Sequence, residues 1–122
     1  MSKLILLVDD SVTSRLRGRA LFGDQKEYQV ISACDGMEGV EKALAHRPDL
    51  ILMDVEMPRM TGVEACRTLR HNKATMSTPI ILLTMRGEDA AVKAGFDSGC
   101  NEYMLKPVNE EKLFTILKKY LR

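Results

Sequence analysis

Five side chains stand at the C-terminal ends of apolar runs in this sequence. They are Asp9 and Asp10 after Leu4–Val8, Asp54 after Leu50–Met53, Thr84 after Ile80–Leu83, and Lys106 after Tyr103–Leu105. If these runs are parallel strands of one sheet, all five groups emerge on the rim where α/β sheets bind ligands. Three carboxylates, a hydroxyl and an ammonium on one rim describe a site for a divalent cation and a phosphoryl group. Adjacent carboxylates at the end of a buried strand repel unless a cation neutralises them. A hard ion with oxygen ligands, most simply Mg²⁺, meets that need. Asp54 beside such an ion can attack phosphorus and form an aspartyl phosphate, with the cation screening the approach. Lys106 can hold a phosphoryl oxygen as a point charge, and Thr84 offers a hydroxyl to the same oxygen. Lys106 also precedes Pro107, an X-Pro bond of the kind that can be cis.

Each residue alone has a plainer reading. One aspartate of the pair can cap the following helix, although Ser11 can already serve. Asp54 can initiate a turn before Met57-Pro58, Lys106 can be an ordinary exposed lysine, and Thr84 a β-branched strand end. Only the combination is specific.

The elements that must position these groups alternate five times. Strand-like runs at Lys3–Val8, Tyr28–Ala33, Leu50–Met53, Ile80–Leu83 and Glu102–Leu105 are separated by segments of helical period. The expected helices cover Ser11–Phe22, Gly36–Ala45, Val63–Leu69, roughly Glu88–Ser98 and Glu110–Leu121. The first shows Val12, Leu16 and Ala20 on one face and is closed by Gly23-Asp24. The second shows Val40 and Leu44 and exits at Pro48. Pro58 and Gly62 punctuate the loop before the third, and Gly99 stops the fourth. The last shows Leu113, Ile116, Leu117 and Tyr120. Leu50–Met53 is apolar at consecutive positions, as a strand covered on both faces should be. This β-α alternation predicts a parallel sheet with helices on both faces and right-handed crossovers.

At 122 residues the chain suffices for one domain with a real core. A net charge of +1, without any basic stripe, argues against direct nucleic-acid binding. No apolar run has the length of a membrane span, and Asp9-Asp10 interrupt the N-terminal apolar stretch too early for a signal peptide. Cys34, Cys66 and Cys100 form no C-x-x-C pair and fit free, buried or half-buried thiols in a reducing cytosol. The eight methionines read as core filler. His46 and His71 fall near helix ends, without a ligand partner at metal spacing.

The segments LILLVDDS, PDLILMDVEMPRMTG, PIILLT and NEYMLKP resemble the receiver domain of bacterial two-component response regulators, chemotaxis regulators among them. The resemblance covers essentially the whole chain, which is read as a single receiver domain over residues 1–122. It implies a doubly wound (βα)5 flavodoxin-like fold with strand order 2-1-3-4-5. By that resemblance Asp54 matches the phosphoacceptor. Asp10 and Asp54 match direct Mg²⁺ ligands, the backbone carbonyl of Glu56 a third, and Asp9 an assisting group. Lys106 matches the phosphoryl-binding lysine, Thr84 the switch hydroxyl, and Tyr103 the aromatic that turns inward when Thr84 is drawn to phosphate. It further implies a cytoplasmic signalling switch rather than a conventional enzyme, one that catalyses its own phosphorylation and dephosphorylation. A histidine kinase, a phosphotransfer protein or a small phosphodonor would supply the phosphoryl group. A protein target or attached effector would read the surface formed by the fourth helix, fifth strand and fifth helix.

Glu56 and Arg86 are distinctive within that pattern and are expected to pair across the site mouth, hindering attacking water and lengthening the phosphorylated lifetime. Arg15, Arg17 and Arg19 read mainly as a solvated face, alternatively as a kinase contact. Two other functions compete. A magnesium-dependent phosphatase of haloacid dehalogenase type also uses an aspartate nucleophile, but wants D-x-D-x-[TV]; here Asp9-Asp10-Ser11-Val12-Thr13 places the second aspartate one position early. A flavodoxin would need Ser, Thr and Gly in the first loop, where two aspartates would repel phosphate.

Overall fold

The computed structural model describes residues 2–23 and 25–121. The elements run β1 (Lys3–Val8), α1 (Val12–Phe22), β2 (Tyr28–Ala33), α2 (Gly36–His46), β3 (Leu50–Asp54), α3 (Gly62–Arg70), β4 (Ile80–Thr84), α4 (Asp89–Asp97), β5 (Glu102–Leu105) and α5 (Glu110–Tyr120). Expected and observed boundaries agree to within a residue or so. Asp24, named with Gly23 as the closure of the first helix, lies outside the described residues.

All strands are parallel, in the order β2-β1-β3-β4-β5. Position in this order accounts for composition. Central β3 and β4 are buried at every residue, whereas edge strands β2 and β5 are buried at only one each. Successive side chains of a strand point to opposite faces, and the core divides accordingly. Leu6, Val8, Ile51, Met53, Ile80 and Leu82 pack with Ala43, Ala65, Cys66 and Leu69 under α2 and α3. Ile5, Leu7, Leu50, Leu52, Ile81 and Leu83 pack with Phe22, Leu113 and Leu117 under α1 and α5. Each fully buried Leu or Ile is worth about 1.5–3 kcal/mol relative to an exposed one. The doubly wound parallel arrangement expected from the alternation is therefore the observed one.

Side chains at the N-termini fix where four helices begin. Ser11, Asp35, Thr61 and Asn109 accept the amides of Ser14, Glu38, Glu64 and Lys112. Thr61 and Glu64 complete a capping box. Glu88 before α4 makes no such side-chain bond.

Three expectations are corrected. Val12 and Leu16 are 62% and 63% exposed and Ala20 is also exposed, so that stripe faces away from the core. α1 docks instead through Phe22 and through Gly18, whose missing Cβ leaves room for Leu7. Of the methionines, Met53, Met57 and Met104 are core, but Met37, Met76 and Met85 are exposed. Cys66 and Cys100 are buried free thiols, as expected, while Cys34 is exposed.

Candidate functional site

Because β1, β3, β4 and β5 run in parallel, their C-terminal ends lie at one rim. The register sets Val8 beside Met53, Asp54 beside Leu83, and Thr84 beside Leu105. Residues distant in sequence thus meet there. Lys106 Nζ lies 3.2 Å from Asp54 Oδ1 and 3.3 Å from Asp9 Oδ2. The Lys106 amide donates to the Thr84 carbonyl at 2.7 Å, extending the β4–β5 ladder to the site. The Lys106–Pro107 bond is cis, the isomer the X-Pro pair allowed.

Asp9 and Asp10 separate in role. Ser11 caps α1, so neither aspartate is needed as its cap. Asp9 is buried, accepts the Ser11 amide at 2.9 Å and pairs with Lys106, whereas Asp10 is exposed. Carboxylate oxygens of Asp9, Asp10 and Asp54 lie within 4.8 Å of one another. The Lys106 ammonium pairs with two of the three, and the hard oxygen donors of the cluster fit a divalent cation such as Mg²⁺. Arg15 belongs to this neighbourhood too. Its guanidinium donates to the Asp9 carbonyl at 2.7 Å, so it is not merely a solvated charge.

Electrostatics follow from burial. Desolvation raises the Asp54 carboxyl to about 6; Lys106 opposes the rise, and Asp9 and Glu56 add to it. For Lys106, burial disfavours the ammonium, but Asp54 and Asp9 outweigh it and leave the group above its ordinary value. The ammonium is therefore kept charged where a phosphoryl oxygen would need it.

Thr84 is fully buried, and its hydroxyl donates to the Glu56 carboxylate at 2.8 and 2.9 Å. The Met85 amide donates to Glu56 Oε1 at 3.1 Å, and the Arg86 amide to Thr84 Oγ1 at 3.0 Å. This corrects the expected Glu56–Arg86 pair. Arg86 instead binds Glu88 through Nε at 2.6 Å and through a second guanidinium nitrogen. Two positions along the loop Glu88 is the nearer partner, and Glu56 is already held by Thr84 and Met85. Tyr103 is half-buried, with its hydroxyl on the Arg86 carbonyl at 2.8 Å and its ring against Gly95.

One contributor stands in the sequence only as loop punctuation. Gly62 opens α3 directly over the Asp54 carbonyl, and a Cβ there would collide with that oxygen. The sequence signal was a glycine after Thr61, eight positions beyond Asp54. Its reason, close approach of backbone to backbone, needs the fold.

Comparison with known proteins agrees with this geometry. The family described as response regulator receiver domain matches residues 5–118. The transcriptional regulatory protein ResD of Bacillus subtilis is 38% identical over 118 residues, covering 97% of this chain and 48% of ResD. The alkaline phosphatase synthesis transcriptional regulatory protein PhoP of the same organism is 36% identical, covering 100% of this chain and 50% of PhoP. The chain thus spans about half the length of the curated relatives it matches. Among solved structures, the Vibrio cholerae chemotaxis protein CheY4 superposes with a TM-score of 0.91 at 34% identity, over 99% of this chain and 100% of CheY4. The receiver domain of the Pseudomonas aeruginosa sensor histidine kinase PA1611, solved with a magnesium ion in its active-site cleft, gives 0.89 at 30% identity over 98% of both chains. With the parallel sheet, the carboxylate cluster and the bridging lysine, these matches make the chain a member of the response regulator receiver domain family of two-component systems.

Proposed function

We propose that Asp54 is the phosphoacceptor of this receiver. The observation that carries the reading is the Lys106 ammonium set between Asp54 and Asp9, 3.2 and 3.3 Å away, at the rim shared with Thr84. Asp9, Asp10, Asp54 and the Glu56 carbonyl would hold Mg²⁺, which when bound supplies charge neutralisation at the transferring group. An Asp54 carboxylate oxygen attacks phosphorus, and the bond from phosphorus to the donor nitrogen or oxygen breaks with its electron pair leaving on the donor. Lys106 binds a phosphoryl oxygen, and the Thr84 hydroxyl binds another once it is free. Hydrolysis by water reverses the modification. The donor is a histidine kinase, a phosphotransfer protein or a small acyl phosphate.

The output follows from charge. A phosphoryl group adds nearly two negative charges beside Thr84 and Lys106 and redraws the loop that Tyr103 contacts. The face of α4, β5 and α5 is the proposed partner surface, where Phe96 and Leu105 are about half exposed. A protein target or attached effector reads it, without direct contact of this domain to nucleic acid. No helix among the described residues is long and apolar enough to cross a membrane, and the proposed location is the cytoplasm. Residues 1–122 are proposed to work as one receiver unit.

The test is chemical. Incubation with Mg²⁺ and acetyl phosphate should give an acid-stable, base-labile phosphoryl group on Asp54. Labelling that persists in Asp54→Asn removes Asp54 from the role.

A further inference from the structure

We infer that the Glu56 carboxylate is a built-in occupant of the donors that a phosphoryl group on Asp54 must recruit, so that phosphorylation is a competition for Thr84. The inference rests on the reading of Asp54 as acceptor and adds the group that opposes it. A threonine hydroxyl has one proton to donate. In Thr84 that proton faces the two Glu56 oxygens, at 2.9 and 2.8 Å. The Arg86 amide engages the Thr84 oxygen from the other side at 3.0 Å, leaving the proton directed at Glu56. The Met85 amide adds a second donor to the same carboxylate at 3.1 Å.

This is a seat for an anion, made of a buried hydroxyl and a backbone amide at the end of β4, and its present tenant is a side chain. Bonds to an ionised acceptor are the stronger class, so the tenant is not trivially displaced. Among the described residues its hydrogen bonds come from Thr84 and Met85, and the Arg86 guanidinium, which feels its charge, is bonded to Glu88 instead. Glu56 is itself exposed and can swing out into solvent when a phosphoryl oxygen takes the Thr84 proton. The same loop carries the Arg86 carbonyl that receives the Tyr103 hydroxyl at 2.8 Å. Displacement of Glu56 therefore reaches the switch aromatic through Thr84, Met85 and Arg86. Glu56 acts as a positioning residue that sets the threshold for switching.

Beryllofluoride with Mg²⁺, a stand-in for the phosphoryl group, tests this in the full chain of wild type, Glu56→Ala and Glu56→Asp. Met85 and Arg86 amide resonances report occupancy. Both variants should bind beryllofluoride on the order of tenfold more tightly than wild type. The aspartate variant is decisive, because it keeps the charge but is one methylene too short to reach Thr84. If it binds as wild type does while Glu56→Ala gains, repulsion by charge alone is acting and the inference is overturned. Unchanged affinity in both variants overturns it as well. Binding that survives in an Asp54→Asn variant with Glu56 intact would instead remove the acceptor reading, and this inference with it. Without any ligand, the Met85 amide resonance should shift in both variants; an unmoved resonance in Glu56→Asp also overturns the proposal.

Discussion

Asp54 is a carboxylate that burial works against. Its folded value of about 6 lies above the ordinary 3.8, so the folded protein binds the proton more tightly than the unfolded chain does. The resulting stabilisation is complete below about pH 4 and is lost as pH rises through about 6. At neutral pH the metal-free protein thus carries an ionised buried carboxylate at a net cost of roughly 1–3 kcal/mol. Asp54→Asn should therefore melt higher than wild type at pH 7.5 in chelator, by an amount that shrinks towards pH 5. Added Mg²⁺ should raise the melting temperature of wild type more than that of the variant. A variant no more stable than wild type at pH 7.5 without metal would contradict this account. A sequence shows that Asp54 ends an apolar run. It does not show how far Lys106 offsets desolvation, because that depends on a 3.2 Å contact across 52 positions.

At the scale of elements, the site depends on how closely α3 sits over the end of β3. Gly62 follows the capping residue Thr61, and its amide donates to the Val55 carbonyl at 3.0 Å. A side chain at this position must push either α3 or the Asp54 backbone away. Gly62→Ala should cost about 1–3 kcal/mol in denaturant unfolding, the usual range for overpacking. It should also lower the rate of Asp54 labelling, since the displaced backbone carries the proposed acceptor. Thr61→Ala, which removes only the capping box, should cost about 1 kcal/mol with labelling little changed. Equal effects of both substitutions on labelling would show that close approach at Gly62 is unimportant to the site. The α1 stripe teaches the opposite lesson about elements. Val12, Leu16 and Ala20 have helical spacing, and the helix exists, but periodicity alone does not say which face meets the sheet.

Across the whole molecule, the two rims of the sheet divide the labour. The C-terminal rim holds the charged site, while the N-terminal rim near β4 and β5 is tied by Arg70. Its guanidinium donates to the carbonyls of Gly99, Thr75 and Thr78 and to the Asn101 side chain, at 2.7–3.1 Å. Asn101 in turn accepts the Ile80 amide at 2.8 Å. Arg70→Met should lower stability by about 2 kcal/mol, as expected for several bonds to a charged donor, while Asp54 labelling in the folded protein persists. Loss of labelling under conditions where the variant remains folded would show that the two rims are coupled.

The alternation of strands and helices, the central place of Leu50–Met53 and the roster of charges at strand ends are legible in the order of residues alone. These are local properties of periodicity and composition, readable along the chain. The fold chose the partners. It set Lys106 between Asp54 and Asp9, gave Arg86 to Glu88, and gave Glu56 to Thr84 and Met85. Partner choice turns on which loops the parallel register brings together. Charge type is written in the residue, but the distance to the competing donor is written only in the fold.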